Sequence, residues 1–215
     1  MRILSISAQK PDSTGSGVYM TELIRAFADK GYEQGAVAGI GPEDRPELPE
    51  GIRFYPVRFE TEDLPFPVAG MSDEMPYRST RYCDMTEEMT AQFSQAFLKV
   101  IDQAVRQLQT DVNLCHHLYL LTALVRKHYP ESRVYGFCHN TDLLQMQKNP
   151  FQGSFIAEQI CDLDGIFALQ AAQTAMISEI YGADTDKIHA VGIGYNERIF
   201  FQSERKRNGS EIRIA

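Results

Sequence analysis

The stretch Arg2–Phe27, RILSISAQKPDSTGSGVYMTELIRAF, decides the fold. Its first part, Arg2 to Ala8, is a short and nearly continuous apolar run, the pattern of a strand buried on both faces of a parallel sheet. Lys10, Pro11 and Asp12 interrupt it, and apolar residues at helical spacing then run from Gly17 to Lys30, with Gly31 placed to cap the helix in a left-handed conformation. Strand, glycine turn and helix open a βαβ unit. The turn has two readings. Gly15 and Gly17 permit positive φ and close backbone approach, and the helix start offers unpaired N–H groups at a positive dipole end, which together make an anion site. The same glycines also suffice for a plain turn.

The alternation continues along the chain. Strands are predicted at Gly35–Ile40, Ile52–Phe59, Val112–His116, Arg133–Cys138, Gly165–Leu169 and Ile188–Val191. Helices are predicted at Met85–Leu108, Leu118–His128, Pro150–Asp162 and Ala171–Tyr181, the last ended by Gly182. This order predicts an α/β, Rossmann-like three-layer domain with a mainly parallel sheet. Glu60–Asp84 has no clear period and is rich in Pro, Met and charge, so it reads as a functional loop or lid, or as a surface excursion without a role.

A chain of 215 residues with a formal charge of −8 suits one large domain and lacks the basic surplus that binding nucleic acid requires. No signal peptide and no transmembrane segment are evident, so a cytoplasmic location is expected, with peripheral membrane contact left open. Cys83, Cys115, Cys138 and Cys161 form no CxxC pair and no ligand ladder, which fits a reducing compartment.

In a parallel sheet the carboxyl ends of the strands face the ligand crevice. His116 and His117 follow one strand, His139, Asn140 and Thr141 another, and Gly192, Gly194 and Asn196 the last, so their polar groups converge on one rim. A histidine there can hydrogen-bond a sugar hydroxyl or a developing charge. A dinucleotide site is excluded because Met20 stands where its third Gly or Ala belongs and Gly39, Ile40 and Gly41 close the second strand without an acid. No Gly-Lys-Ser/Thr phosphate loop or Gly-x-Ser-x-Gly elbow is present. No metal and no other cofactor is expected, since no carboxylate or cysteine has ligand spacing with the three histidines.

With these residues in place, the chain resembles the N-terminal half of a GT-B glycosyltransferase of the retaining family four. The resemblance rests on the loop ending at Gly17, on CHHLYLLTAL (Cys115–Leu124), GFCHNTD (Gly136–Asp142), DGIFALQAAQTAMISEIYG (Asp164–Gly182) and DKIHAVGIGYNERIF (Asp186–Phe200). It departs from the family at Thr14-Gly15-Ser16-Gly17, at Gln170 and at Gly192-Ile193-Gly194. It implies a domain that faces a second Rossmann-like domain across a cleft and takes a nucleotide-diphosphate sugar and an acceptor as substrates. By position, Gly15, Ser16 and Gly17 would approach the donor phosphates, and His139 would contact the transferring sugar as the catalytic histidine. His116, His117, Asn140, Thr141 and Asn196 would line the acceptor side.

The resemblance implies hexosyl transfer in polysaccharide, glycolipid or other glycoconjugate synthesis. Residues 1–203 are expected to form the acceptor-side domain and 204–215 a linker with the first strand of a donor-binding domain lying beyond Ala215. The family's donor-binding glutamates and phosphate-neutralising cation would lie there, so this chain alone is expected to be inactive. The alternative is a non-catalytic α/β ligand-binding or regulatory module. A nucleoside-diphosphate-sugar epimerase fails on the missing dinucleotide fingerprint.

Overall fold

The computed structural model describes residues 1–149 and 151–201. Strands β1 (Arg2–Ser7), β2 (Glu33–Ile40) and β3 (Arg53–Arg58) precede a short ribbon, β4 (Ala69–Gly70) and β5 (Thr80–Arg81). They are followed by β6 (Val112–His116), β7 (Val134–Cys138), β8 (Gly165–Ala168) and β9 (Ile188–Ala190). The helices are α1 (Gly15–Asp29), α2 (Glu87–Leu108), α3 (Leu120–His128), α4 (Thr141–Lys148), α5 (Gly153–Cys161) and α6 (Gln173–Tyr181).

The main sheet has seven strands in the order β3-β2-β1-β6-β7-β8-β9. All of its neighbours run parallel. The chain winds outward from β1 to β3, returns to the other side of β1, and winds outward again, so the direction of travel reverses between β1 and β6. At such a reversal the flanking loops leave toward opposite faces and open a crevice at the carboxyl ends of the strands.

Strand alternation assigns each side chain to a face. Leu4, Ile6, Cys115, Val134 and Ile166 face the larger core, which Phe93, Phe97 and Ile101 of α2, Ala123 of α3, Ile156 of α5 and Ile177 of α6 fill. Ile3, Leu114 and Phe137 face the other way and meet Tyr19, Leu23 and Phe27 of α1. His116 and His139 share the face of α1 by the same parity, and Tyr19 meets both rings edge-on at 6.3 and 5.5 Å. Among the described residues, no helix is long and apolar enough to cross a membrane.

The predicted strands and helices occur within a few residues of their expected bounds, and Gly31 and Gly182 take the left-handed φ of helix ends, 76° and 68°. The structure differs at three places. Glu60–Asp84 is not a surface excursion, because Leu64, Phe66, Val68, Met71 and Tyr82 are buried in the main core. Tyr82 packs edge-on against Tyr119 at 4.9 Å, and Asp73 fixes the segment to α4 through Lys148 at 3.2 Å and Gln145 at 3.4 Å. Helix α4 was not expected as a separate element. The linker expected at 204–215, the last residues of the domain at 202–203, and Pro150 at the expected start of α5 lie outside the described residues.

Gly15 and Gly17 do not use positive φ either, since both lie in the first turn of α1. Gly17 is required for close approach. A Cβ there would overlap the Lys10 carbonyl oxygen and stand 2.8 Å from the Pro11 carbonyl carbon, whereas a Cβ at Gly15 meets nothing within 4 Å. Gly17→Ala is therefore expected to lower stability by about 1–3 kcal/mol through overpacking against backbone that cannot rotate away. Gly15→Ala is expected to stay within about 0.5 kcal/mol of the parent. Urea unfolding of the two variants checks this, and equal stabilities would show that the loop at Lys10–Pro11 yields freely.

Candidate functional site

At the reversal, the ends of β1, β6 and β7 and the start of α1 enclose a cavity of about 360 Å³. Gln9 comes from the end of β1, Thr14, Gly15, Ser16 and Tyr19 from the start of α1, His117 from the end of β6, and His139 and Thr141 from the end of β7. Met71, Ser72 and Met75 close it from the packed 60–84 segment, and Leu169 and Ile193 from the loops after β8 and β9. No Asp, Glu, Lys or Arg lines it among the described residues. Its polar groups are hydroxyls, one amide and two imidazoles, and the remaining surface is apolar.

A chain of hydrogen bonds runs along the wall. Thr14 caps α1 by accepting from the Gly17 N–H at 3.2 Å, and its hydroxyl meets that of Ser16 at 3.0 Å. Ser16 Oγ donates to Gln9 Oε1 at 3.1 Å, and the same oxygen lies 3.1 Å from His117 Nε2. An amide oxygen only accepts, so His117 carries its proton on Nε2. His117 also has φ of 73°, the left-handed region, which costs about 1–3 kcal/mol outside glycine and is held by the surrounding contacts. Its N–H donates to Phe137 O at 3.0 Å, and its carbonyl accepts from the Thr122 hydroxyl at 2.5 Å. On the other side, His139 Nε2 lies 3.2 Å from Nδ1 of the buried His116, whose ring stacks on Phe137 at 5.0 Å and 10°.

Asp142 ties the two histidine loops together. Its side chain is fully buried, and its carboxylate accepts from the backbone N–H of Leu118 at 2.8 Å, of His139 at 3.2 Å and of Leu143 at 3.3 Å. Leu118 follows His117 directly, so one carboxylate sets the spacing between the loops that present His117 and His139.

The candidate residues do not all meet. Gly15, Ser16, His117, His139 and Thr141 line one cavity. Gly17 packs against the Lys10–Pro11 loop, and His116 lies beneath His139 instead of on the wall. Asn140 is exposed, its φ of 69° serving the turn into α4. Asn196 lines an adjoining cavity of about 540 Å³ between α1 and the segment after β9, where its amide donates to Glu22 Oε2 at 2.8 Å. Gln9, Met71 and Met75 were not anticipated, and Asp142, which follows His139, Asn140 and Thr141 at the same strand end, was not among the chosen site residues. Gln9 and Asp142 carried a legible signal, since each is a polar residue just past the end of a strand, as the chosen histidines are.

A larger groove of about 710 Å³ lies between α2, α3 and α5. Its two basic side chains are already engaged, with Lys127 over the Phe155 ring at 5.2 Å and His128 paired with Asp102 at 3.1 Å. Among the described residues, no cluster of three His, Cys, Asp or Glu is arranged to hold a metal ion.

Burial holds the His116 and His117 imidazoles well below their ordinary range, with the neighbouring His139 adding to the effect, and brings His139 down to about 4. The cavity is therefore electrically neutral near pH 7. An unfolded chain takes up these protons near 6.5, whereas native His139 does so only near 4 and native His116 and His117 are also held well below 6.5, so the unfolded state holds more protons as the pH falls below 6.5. Their contribution to stability is complete above about pH 6.5 and is lost as the pH falls toward 4. Burial raises Asp142, which acts in the opposite sense. The urea midpoint is expected to fall between about pH 7 and pH 5, and His139→Gln to flatten that slope. A midpoint independent of pH in both proteins would show that the native histidines ionise normally.

Neither a protein-family model nor a curated protein sequence matches the chain. Solved structures do. Sucrose-phosphate synthase from Thermosynechococcus elongatus aligns with a TM-score of 0.65 at 12% identity, over 94% of this chain and 51% of that one. A lipopolysaccharide outer core galactosyltransferase, in its apo form, aligns at 0.55 and 10%, over 89% and 45%. UDP-GlcNAc 2-epimerase from Methanocaldococcus jannaschii aligns at 0.51 and 12%, over 90% and 46%. The chain thus spans about half the length of each of these proteins. An epimerase stands among these folds, so the fold alone does not separate epimerisation from transfer. At these identities the likeness is one of fold: a Rossmann-like α/β domain with a mainly parallel sheet, matching the folds of GT-B neighbours.

Proposed function

We propose that this chain is the acceptor-side half of a retaining glycosyltransferase that moves a hexosyl group from a nucleotide-diphosphate sugar to a polysaccharide, glycolipid or other glycoconjugate acceptor. The observation that carries the reading is the lining of the cavity at the sheet reversal. A sugar ring presents hydroxyls at its edge and C–H groups on its faces, and this wall offers hydroxyl, amide and imidazole groups beside Met71, Met75, Leu169 and Ile193. A phosphate would find no cation there. It would meet only the first-turn N–H groups of Gly15 and Ser16, which no helix carbonyl reaches.

In glycosyl transfer the bond between the anomeric carbon and the diphosphate oxygen breaks as an acceptor hydroxyl bonds to that carbon. This half would seat and orient the ring and keep water from the anomeric carbon, with His139 hydrogen-bonded to the sugar near the reacting centre. Gly15 and Ser16 would offer their N–H groups to the diphosphate or the acceptor at the rim. Neutralisation of the leaving diphosphate falls to residues of a second domain, so residues 1–215 alone are expected to bind nucleotide sugar weakly and turn over none. The exposed Ile193, Tyr195, Ile199 and Phe200 beside α1 support contact with such a domain. Transfer from a nucleotide sugar fits a cytoplasmic enzyme, with the acceptor at hand in solution or at a membrane surface.

The test uses the full-length protein with a panel of UDP-, GDP- and ADP-hexoses and alkyl glycoside acceptors, with products identified by mass spectrometry. Transfer from one donor is expected, with the anomeric configuration kept and kcat/KM lowered about 100-fold by His139→Ala. Unchanged activity in that variant would place the reaction elsewhere. Inverted sugar stereochemistry without transfer would favour an epimerase, and ligand binding without any product a non-catalytic module.

A further inference from the structure

We infer that His116 is a positioning residue that holds His139 in its Nδ1–H tautomer, so that His139 meets a ligand as a hydrogen-bond donor and not as a base. His116 Nδ1 and His139 Nε2 lie 3.2 Å apart, so one nitrogen donates and the other accepts. The choice is made on the far side of the His116 ring. Its Nε2 is buried and has no partner among the described residues. Were the proton on Nε2, the protein would bury an N–H with no acceptor, the rarer and costlier orphan. With the proton on Nδ1, what stays unpaired is a lone pair, and the proton is used on His139.

The same preference operates next door. Gln9 Oε1 requires the proton of His117 on Nε2, and His117 Nδ1 is likewise buried without a partner. Both inner histidines therefore leave a lone pair unpaired, and neither leaves an N–H. The His116 ring is not free to turn away from this arrangement. It stacks on Phe137, its partner across the β6–β7 register, and Tyr19 bounds it edge-on.

Because His139 Nε2 accepts from His116, the single proton of the uncharged His139 ring sits on Nδ1. His139 lines the cavity, and Nδ1 is its remaining polar atom. It can donate to a hydroxyl, ring or glycosidic oxygen, but it has no lone pair left with which to take a proton. Any deprotonation of an acceptor hydroxyl then belongs to another group. This last consequence rests on the sugar-transfer reading, whereas the tautomer does not.

The experiment is a long-range proton–nitrogen correlation spectrum of the histidine side chains in the nitrogen-15-labelled chain at neutral pH. His139 is expected as Nδ1–H, His116 as Nδ1–H and His117 as Nε2–H. His116→Phe keeps the stack on Phe137 and removes the donor, so His139 is expected to move toward the Nε2–H form. His116→Asn returns a donor near the position of Nδ1 and is expected to restore Nδ1–H. An Nε2–H tautomer at His139 in the parent protein overturns the inference without recourse to any variant, and so does an unchanged Nδ1–H in His116→Phe. The expected spectrum in a protein that transfers no sugar would retain this inference and remove the functional reading.

Discussion

The shape of the site depends on one buried carboxylate. Asp142 accepts from the backbone of Leu118 in one strand-end loop and of His139 and Leu143 in the next. These donors leave the loops little freedom, and each loop holds a left-handed residue, His117 and Asn140, that the surroundings must sustain. Tyr181 of α6 adds a bond to Leu118 O at 2.6 Å, so a helix on the far side of the sheet also reaches the rim. A buried acid would ordinarily be an expensive group, and it is tolerated here because backbone donors surround it.

On that frame the wall of the cavity is built without formal charge. The histidines are kept neutral chiefly by burial, to which their proximity to one another adds at His116 and His117. Directional, uncharged hydrogen bonding suits a polyol better than a phosphate, since a hydroxyl both donates and accepts while a phosphate asks for cations. On the proposed reading the two tasks of glycosyl transfer are divided. This half seats the ring, and charge compensation for the leaving group comes from elsewhere in the protein.

Much of the architecture was legible because buried parallel strands announce themselves as short apolar runs, as in RILSIS and VYGFC. Helix α4 was not, because TDLLQMQK has few residues, a weak apolar face and a start at Asn140 that no side chain caps. The 60–84 segment hid its order for a different reason. Its buried Leu64, Phe66 and Val68 do alternate, but only over five residues and with Pro65 and Pro67 between them, which argues against a strand, so only tertiary packing reveals that they belong to the core. At the site, strand ends located the histidines, but not which of them reach the cavity. That depends on ring packing, as with His116 beneath His139, and on distant partners, as with Asn196 drawn to Glu22.

The central claim, that a sugar ring is seated between the histidines and the packed 60–84 segment, is tested most directly by methyl-labelled methionine. The chain has eight methionines, and Met71 and Met75 line the cavity. Titration of the full-length protein with the nucleotide sugar it turns over should shift the Met71 and Met75 methyl signals, while inorganic pyrophosphate alone should leave them in place. Shifts produced equally by pyrophosphate, or methyl signals that ignore the sugar, would contradict the account.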